Sequence, residues 1–192
     1  MKTGLYFGTF NPVHIGHLAI AGYMAQFAGL DEVWLVVSPH NPLKEKKSLL
    51  KDYHRLAMLR AALENYPYLR ASDVEFNLPV PSYTVNTLAY LEEKYPGKEF
   101  ALILGSDNLE SLHNWKNYEV LLQRYSLFVY PRPGHEGGAL RQHPRVKWMS
   151  NAPLLELSAT FIREAVRNKK DIRYLMPEKA WQYMREMHFY ER

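Results

Sequence analysis

Leu5-Tyr6-Phe7-Gly8-Thr9-Phe10-Asn11-Pro12-Val13-His14-Ile15-Gly16-His17 decides how this chain folds. A short β-rich run after Gly4 gives way to a Gly- and Pro-containing loop, and a helical stretch continues to about Gly29. The same order recurs downstream. Val33-Trp34-Leu35-Val36-Val37 is a continuous apolar run, as expected of a strand covered on both faces in a parallel sheet, and the Pro-rich loop Ser38 to Lys47 follows it. Leu56, Leu59 and Leu63 recur at helical spacing behind Asp52, which is placed as an N-cap, and Pro67 ends that element. Leu69 to Phe76 holds short β-prone pieces, and Val85, Leu88, Leu91 and Tyr95 form a helical stripe that stops at Pro96-Gly97.

Phe100 to Leu104 reads as the next buried strand, and Leu109 to Arg124 as helix with a break near Asn114. Leu127 to Tyr130 is a further strand, closed by Pro131-Arg132-Pro133-Gly134; Gly134 to Pro144 is the most loop-like segment, and Val146 to Met149 supplies one more strand. Ser158 is placed to cap a helix from Ala159 to about Asn168, and Pro177 to open a last one ending near Met187. Strands alternating with helices imply right-handed crossovers and an α/β fold, a Rossmann-like doubly wound parallel sheet with a C-terminal helical extension. Ligands of such sheets bind at the C-terminal edge of the strands, where the loops after Phe7, Val37, Leu104 and Tyr130 open.

At about 150 residues per domain, 192 residues suit one domain: an α/β core over about 1–150 and a helical part over about 151–192. Hydrophobic residues at 47% and charged residues at 23% exclude a disordered chain. Cysteine is absent, which removes disulfides, thiolate nucleophiles, Fe–S clusters and Cys-ligated zinc, and makes a cytoplasmic setting the expectation. No apolar run is long enough to span a bilayer, and the opening residues are too short for a signal peptide, so no membrane partner is expected. The net charge of +4 is concentrated late: residues 124–192 hold 13 basic and 7 acidic residues, residues 1–123 hold 11 and 13. That excess suits a polyphosphate ligand, a nucleic acid or simply a solvated basic face.

His14 and His17 stand three apart where a loop enters a helix, so both imidazoles can share a face beside unpaired backbone N–H groups. Such a place attracts anions. Gly8 and Gly16 let a phosphate approach the backbone, and Thr9 can donate a hydroxyl hydrogen bond. Two ring donors there could stabilise charge building on a phosphoryl oxygen, with neither histidine acting as a nucleophile. On these residues alone a zinc pair, an acid/base pair and two structural histidines also stand. Zinc is disfavoured, since no Glu follows His14 as in H-E-x-x-H, and the Gly-x-Gly-x-x-Gly dinucleotide fingerprint is missing. A second anion cradle is offered by Ser158, Thr160 and Arg163: two hydroxyls, helix N-terminal amides and a guanidinium one turn in, against the plainer reading of a capped helix with a surface Arg.

Gly8-Thr9-Phe10-Asn11-Pro12-x-His14-x-Gly16-His17 together with Ser158-x-Thr160-x-x-Arg163 resembles the HxGH superfamily of adenylyl- and cytidylyltransferases, and within it the bacterial nicotinate-nucleotide adenylyltransferase family. Supporting pieces run the length of the chain: Ser38-Pro39-x-x-Pro42-x-Lys44, Pro81-Ser82-Tyr83-Thr84-x-x-Thr87-Leu88, Gly105-x-Asp107-x-Leu109, Trp115, Arg132-Pro133-Gly134 and Tyr174-Leu175-x-Pro177. The resemblance implies that ATP and nicotinate mononucleotide give deamido-NAD and pyrophosphate, with Mg²⁺ held mainly by the ATP phosphates and no covalent intermediate. It implies ATP contacts from Gly8, Thr9, Phe10, Gly105, Asp107, Ser158 and Thr160, with His14, His17 and Arg163 as the catalytic group. It implies mononucleotide contacts from Asn11, Lys44, Thr84 and Trp115, with Trp115 stacked on the pyridine and Thr84 at its carboxylate. Trp stacking of that kind is worth about 0.5–1.5 kcal/mol beyond burial, and Thr84 could equally cap its helix.

Two departures from the family's usual Gly-Gly-x-Phe-Asp-Pro opening stand out: Phe7 replaces the first Gly, and Asn11 replaces the Asp, dropping one negative charge. The rival within the class is adenylyl transfer to nicotinamide mononucleotide or another nucleotide-like acceptor. A nucleic-acid-binding module is disfavoured because Glu164, Asp171, Glu178 and Glu186 intersperse the basic residues, so no nucleic-acid partner is expected. A homo-oligomer is compatible with the sequence, which carries no signal for or against one.

Overall fold

Six parallel strands carry the fold, in the order β3-β2-β1-β4-β5-β6. The computed structural model describes residues 1–39 and 49–191, so Pro42 and Lys44 lie outside the described residues. In chain order the elements are β1 (Lys2–Gly8), α1 (Ile15–Phe27), β2 (Glu32–Val37), α2 (Asp52–Leu63), β3 (Leu69–Ser72), α3 (Thr84–Lys94), β4 (Glu99–Gly105), α4 (Ser106–Glu110), α5 (Tyr118–Arg124), β5 (Ser126–Tyr130), β6 (Val146–Trp148), α6 (Ala159–Arg167) and α7 (Glu178–Glu186). Short 3-10 turns at Val74–Asn77, Leu112–Asn114, Ala139–Gln142 and Arg173–Leu175 complete them.

The strands alternate their side chains between two cores, which is why β2 and β4 carry no polar side chain after their opening glutamates. On one face Tyr6, Val33, Leu35, Ile103 and Phe128 meet α1, α2, α6 and α7 through Met24, Leu59, Ile162 and Met184. On the other Leu5, Trp34, Leu102, Leu104 and Val129 meet α3, α4 and α5 through Leu88, Leu91, Leu109 and Leu121. The helical part after residue 150 therefore shares a core with the first half of the chain, and α7 lies against α2.

Three boundaries differ from the sequence reading. Lys51, not Asp52, is the extended residue before α2 (φ −54°, ψ 143°), because Asp52 sits in the first turn and pairs with Arg55 at 2.5 Å. Tyr83, not Thr84, precedes α3 with extended backbone, so Thr84 is the first helical residue rather than its cap. The helix expected over Leu109 to Arg124 divides: α4 starts at Ser106, and the left-handed Asn117 (φ 52°) separates the 3-10 turn from α5. The loop-like segment after Gly134 is tacked to α4, with Glu110 accepting from the Gly137 N–H at 3.0 Å and lying 2.6 Å from His135 Nδ1.

β1 pairs with both β2 and β4, so the chain leaves the sheet in opposite directions on either side of β1. The loops after β1 and β4 open side by side at that switch point, the place where doubly wound sheets hold their ligands.

Candidate active site

A cavity of about 620 Å³ occupies the switch point, a volume within the range of small-molecule sites. Its walls contain Gly8 to Asn11, His14, Gly16 and His17 from the first loop, and Gly105 and Asp107 from the end of β4. Thr84, Trp115, Ser158, Thr160 and Arg163 complete the enclosure. Every expected site residue that is described thus faces one cleft; Lys44 lies outside the described residues.

His14 is the extended residue that opens α1, and its backbone N–H donates to His17 Nδ1 at 3.2 Å. That bond leaves Nε2 of His17 to carry the ring proton. The two imidazoles stack 3.7 Å apart at 25°. Gly16 gives this arrangement room: a Cβ there would stand 3.0 Å from His14 Nδ1, tight enough to shift the ring. His14 is buried, and burial followed by the Arg132 charge lowers its pKa to about 4, so the ring is neutral at pH 7. His17 packs edge-on against Phe10, ring centroids 4.9 Å apart. No acidic residue occupies the first turn of α1, which keeps that helix end favourable to anions.

The second cradle reaches the first directly. Ser158 Oγ caps α6 by accepting the Phe161 N–H at 3.1 Å. Thr160 Oγ1 accepts from Arg163 Nη2 at 3.1 Å, and Arg163 Nη1 donates to the Asn11 carbonyl at 2.8 Å. One guanidinium therefore joins two motifs 152 residues apart.

Across the cleft, Asp107 lies in the first turn of α4 and pairs with Arg132 at 3.5 Å, while its Oδ1 is buried without a hydrogen-bond partner. Gly105 leaves room for this pair, since a Cβ there would push aside the Asp107 carboxylate and the Arg132 side chain. Trp115 follows the Leu112–Asn114 turn, and Lys116 lies 4.5 Å over the Tyr83 ring, so the Trp115 segment faces the start of α3. Trp115 Nε1, Ser82 Oγ and Glu75 Oε2 are buried there without partners, and burial raises the Glu75 carboxyl although Thr87 donates to its Oε1 at 2.7 Å. Among the described residues no group of three or more His, Cys, Asp or Glu could hold a metal ion. No helix of the described residues is long and apolar enough to cross a membrane.

Sequence reasoning gave no role to Arg132, Arg55 or Tyr190. Arg132 had a signal, a guanidinium at the C-terminal edge of β5. Arg55 had none: it occupies an ordinary position in a helix of leucines, yet it is fully buried and donates to the carbonyls of Thr9 (2.6 Å), Ser38 (3.0 Å) and Leu50 (3.0 Å).

Comparison with known proteins agrees with this geometry. The model of the cytidylyltransferase-like family matches residues 5–165. A Flavobacterium psychrophilum protein named as a probable nicotinate-nucleotide adenylyltransferase is 54% identical over the whole of both chains, and a Cytophaga hutchinsonii protein of the same name is 52% identical over 99% of this chain and 98% of its own. Among solved structures, the nicotinic acid mononucleotide adenylyltransferase of Plasmodium falciparum complexed with NaAD superposes with a TM-score of 0.81 at 18% identity, covering 99% of this chain and 97% of that one, which shows a shared fold. The chain belongs to the cytidylyltransferase-like family and, within it, to the nicotinate-nucleotide adenylyltransferases.

Proposed function

We propose that this cleft holds ATP and nicotinate mononucleotide together and transfers the adenylyl group between them. A phosphate oxygen of the mononucleotide attacks the α-phosphorus of ATP in line, the bond from that phosphorus to the bridging β-oxygen breaks, and deamido-NAD and pyrophosphate result. The observation that carries this reading is the junction of the two cradles: Arg163 reaches from α6 to the Asn11 carbonyl, so donors at both ends face one cavity.

In this reading His17, donating through Nε2, and neutral His14 stabilise charge developing around the α-phosphorus, beside backbone amides of the Gly8–Phe10 turn and the Thr9 hydroxyl. Ser158, Thr160 and Arg163 hold the departing β- and γ-phosphates. Asp107 accepts from ribose hydroxyls above Gly105, and Arg132 adds a positive charge to the same wall. Trp115 stacks on the pyridine ring, and Thr84 with the first amides of α3 receives its carboxylate. Mg²⁺ would be held mainly by the ATP phosphates, with Asp107 as a protein carboxylate in the same cleft; a cleft with no cluster of three or more His, Cys, Asp or Glu among its described residues fits a cation that uses few protein ligands. Mg²⁺ would neutralise phosphate charge there. A cytoplasmic setting, where ATP is available, belongs to the same reading.

The test is pyrophosphate release from ATP with nicotinate or nicotinamide mononucleotide in parallel. A kcat/KM favouring the acid by at least about tenfold is expected, the scale of one or two specific contacts. Equal turnover of both would assign the broader acceptor range, and no release with either would refute the reaction.

A further inference from the structure

The Gly8–Asn11 loop is held under strain. Phe10 has φ 45°, a left-handed conformation that a residue with a Cβ disfavours. Such a residue persists only where its surroundings over-determine it. Its ring is buried, and the carbonyls on either side are each taken by a guanidinium: Thr9 O by Arg55 and Asn11 O by Arg163. A further hold is on the Asn11 side chain. Oδ1 accepts from the Leu50 N–H at 3.3 Å and from the Tyr190 hydroxyl at 2.6 Å, a bond spanning 179 residues.

Tyr190 is itself left-handed (φ 63°), as is His188 (φ 53°). These turns bring the segment after α7 back over α2, where Phe189 packs edge-on against His54 at 4.7 Å. Burial holds the Tyr190 hydroxyl protonated well above the ordinary tyrosine range, with Arg163 and Arg55 as the charges near it. It is therefore a permanent donor, aimed at the side-chain acceptor that Asn11 brings to the phosphate loop.

We infer that Tyr190 is a positioning residue: it latches the Thr9–Asn11 turn through Asn11, fixing the loop that carries His14 and His17 against Arg163. This rests on the proposed adenylyl transfer for its kinetic consequence, and on geometry alone for the latch. Asn11 on this account acts through its acceptor oxygen, which an Asp at the same position would supply with added charge.

The test uses the whole chain carrying Tyr190→Phe, alone and combined with Asn11→Ala or Asn11→Asp. Hydrogen exchange without substrates is expected to be about fivefold faster at the amides of residues 9–11 in Tyr190→Phe, with β1 and β4 unchanged, the scale of one lost hydrogen bond. In the pyrophosphate assay kcat is expected to fall about fivefold with KM for ATP within about twofold. The loss should vanish in the Asn11→Ala background and reappear with Asn11→Asp. Unchanged loop exchange, or losses that add in the Asn11→Ala background, would overturn the latch. An inactive wild type would count against the reaction instead, and the exchange result would still decide the latch.

Discussion

The two ends of the cleft are built differently. At the end proposed for the phosphates the backbone is over-tied: Thr9 and Asn11 carbonyls are held by Arg55 and Arg163, and the histidines are fixed by stacking and by the His14 N–H to His17 bond. At the end proposed for the acceptor, Trp115 Nε1, Ser82 Oγ and Glu75 Oε2 are buried without partners. A tied backbone that leaves His14 Nδ1 buried without a partner suits electrostatic stabilisation of charge that develops during the reaction, where reorganisation would be costly. Unsatisfied donors and acceptors suit recognition, because a ligand that fails to meet them leaves their burial uncompensated.

Removing the frame is expected to have the largest effect. Arg55→Leu leaves three part-buried carbonyls without their donor and empties a fully buried polar position, and should cost about 3–5 kcal/mol, read as a fall in Tm of about 10 °C. A change under about 1 kcal/mol would mean the guanidinium is dispensable to the loop. His17→Ala should fold normally and lose kcat by about 10²–10³, the scale for one preorganised donor; unchanged turnover would remove His17 from the reaction.

The buried His14 adds a pH signature. Unfolded, its imidazole takes a proton near pH 6.5; folded, it stays neutral until about pH 4. Its contribution is complete above pH 6.5 and is lost as pH falls from there toward 4, by up to about 3 kcal/mol. Denaturant titrations over that window should show the slope in the wild type and lose it in His14→Asn; an identical slope in both would place the titration elsewhere. The smallest effect belongs to the acceptor end. Trp115→Ala should raise KM for the mononucleotide about tenfold and KM for ATP far less, and equal rises would make the ring a wall of the whole cleft.

Much of this division was legible in the sequence, because strands covered on both faces and Pro/Gly breaks between helical stripes are local signals. Val33–Val37, Phe100–Leu104 and Ser158 before α6 announce their structures through their own side chains. The two clusters of the site were legible as chemistry, and their meeting required the topology. What local pattern could not supply were the ties. Arg55 binds carbonyl oxygens, which carry no side-chain signature, and Tyr190 meets a residue 179 positions away. Asp52 and Thr84 misled as caps for the same kind of reason. Asp52 answers to Arg55 one turn on, and Thr84 starts its helix after Tyr83 has taken the extended conformation.

A crystal structure with a non-hydrolysable ATP analogue tests the central claim most directly. The account predicts the α-phosphate within about 3 Å of His17 Nε2 and the terminal phosphates on Ser158, Thr160 and Arg163. A triphosphate bound along one cradle with the other untouched would contradict it.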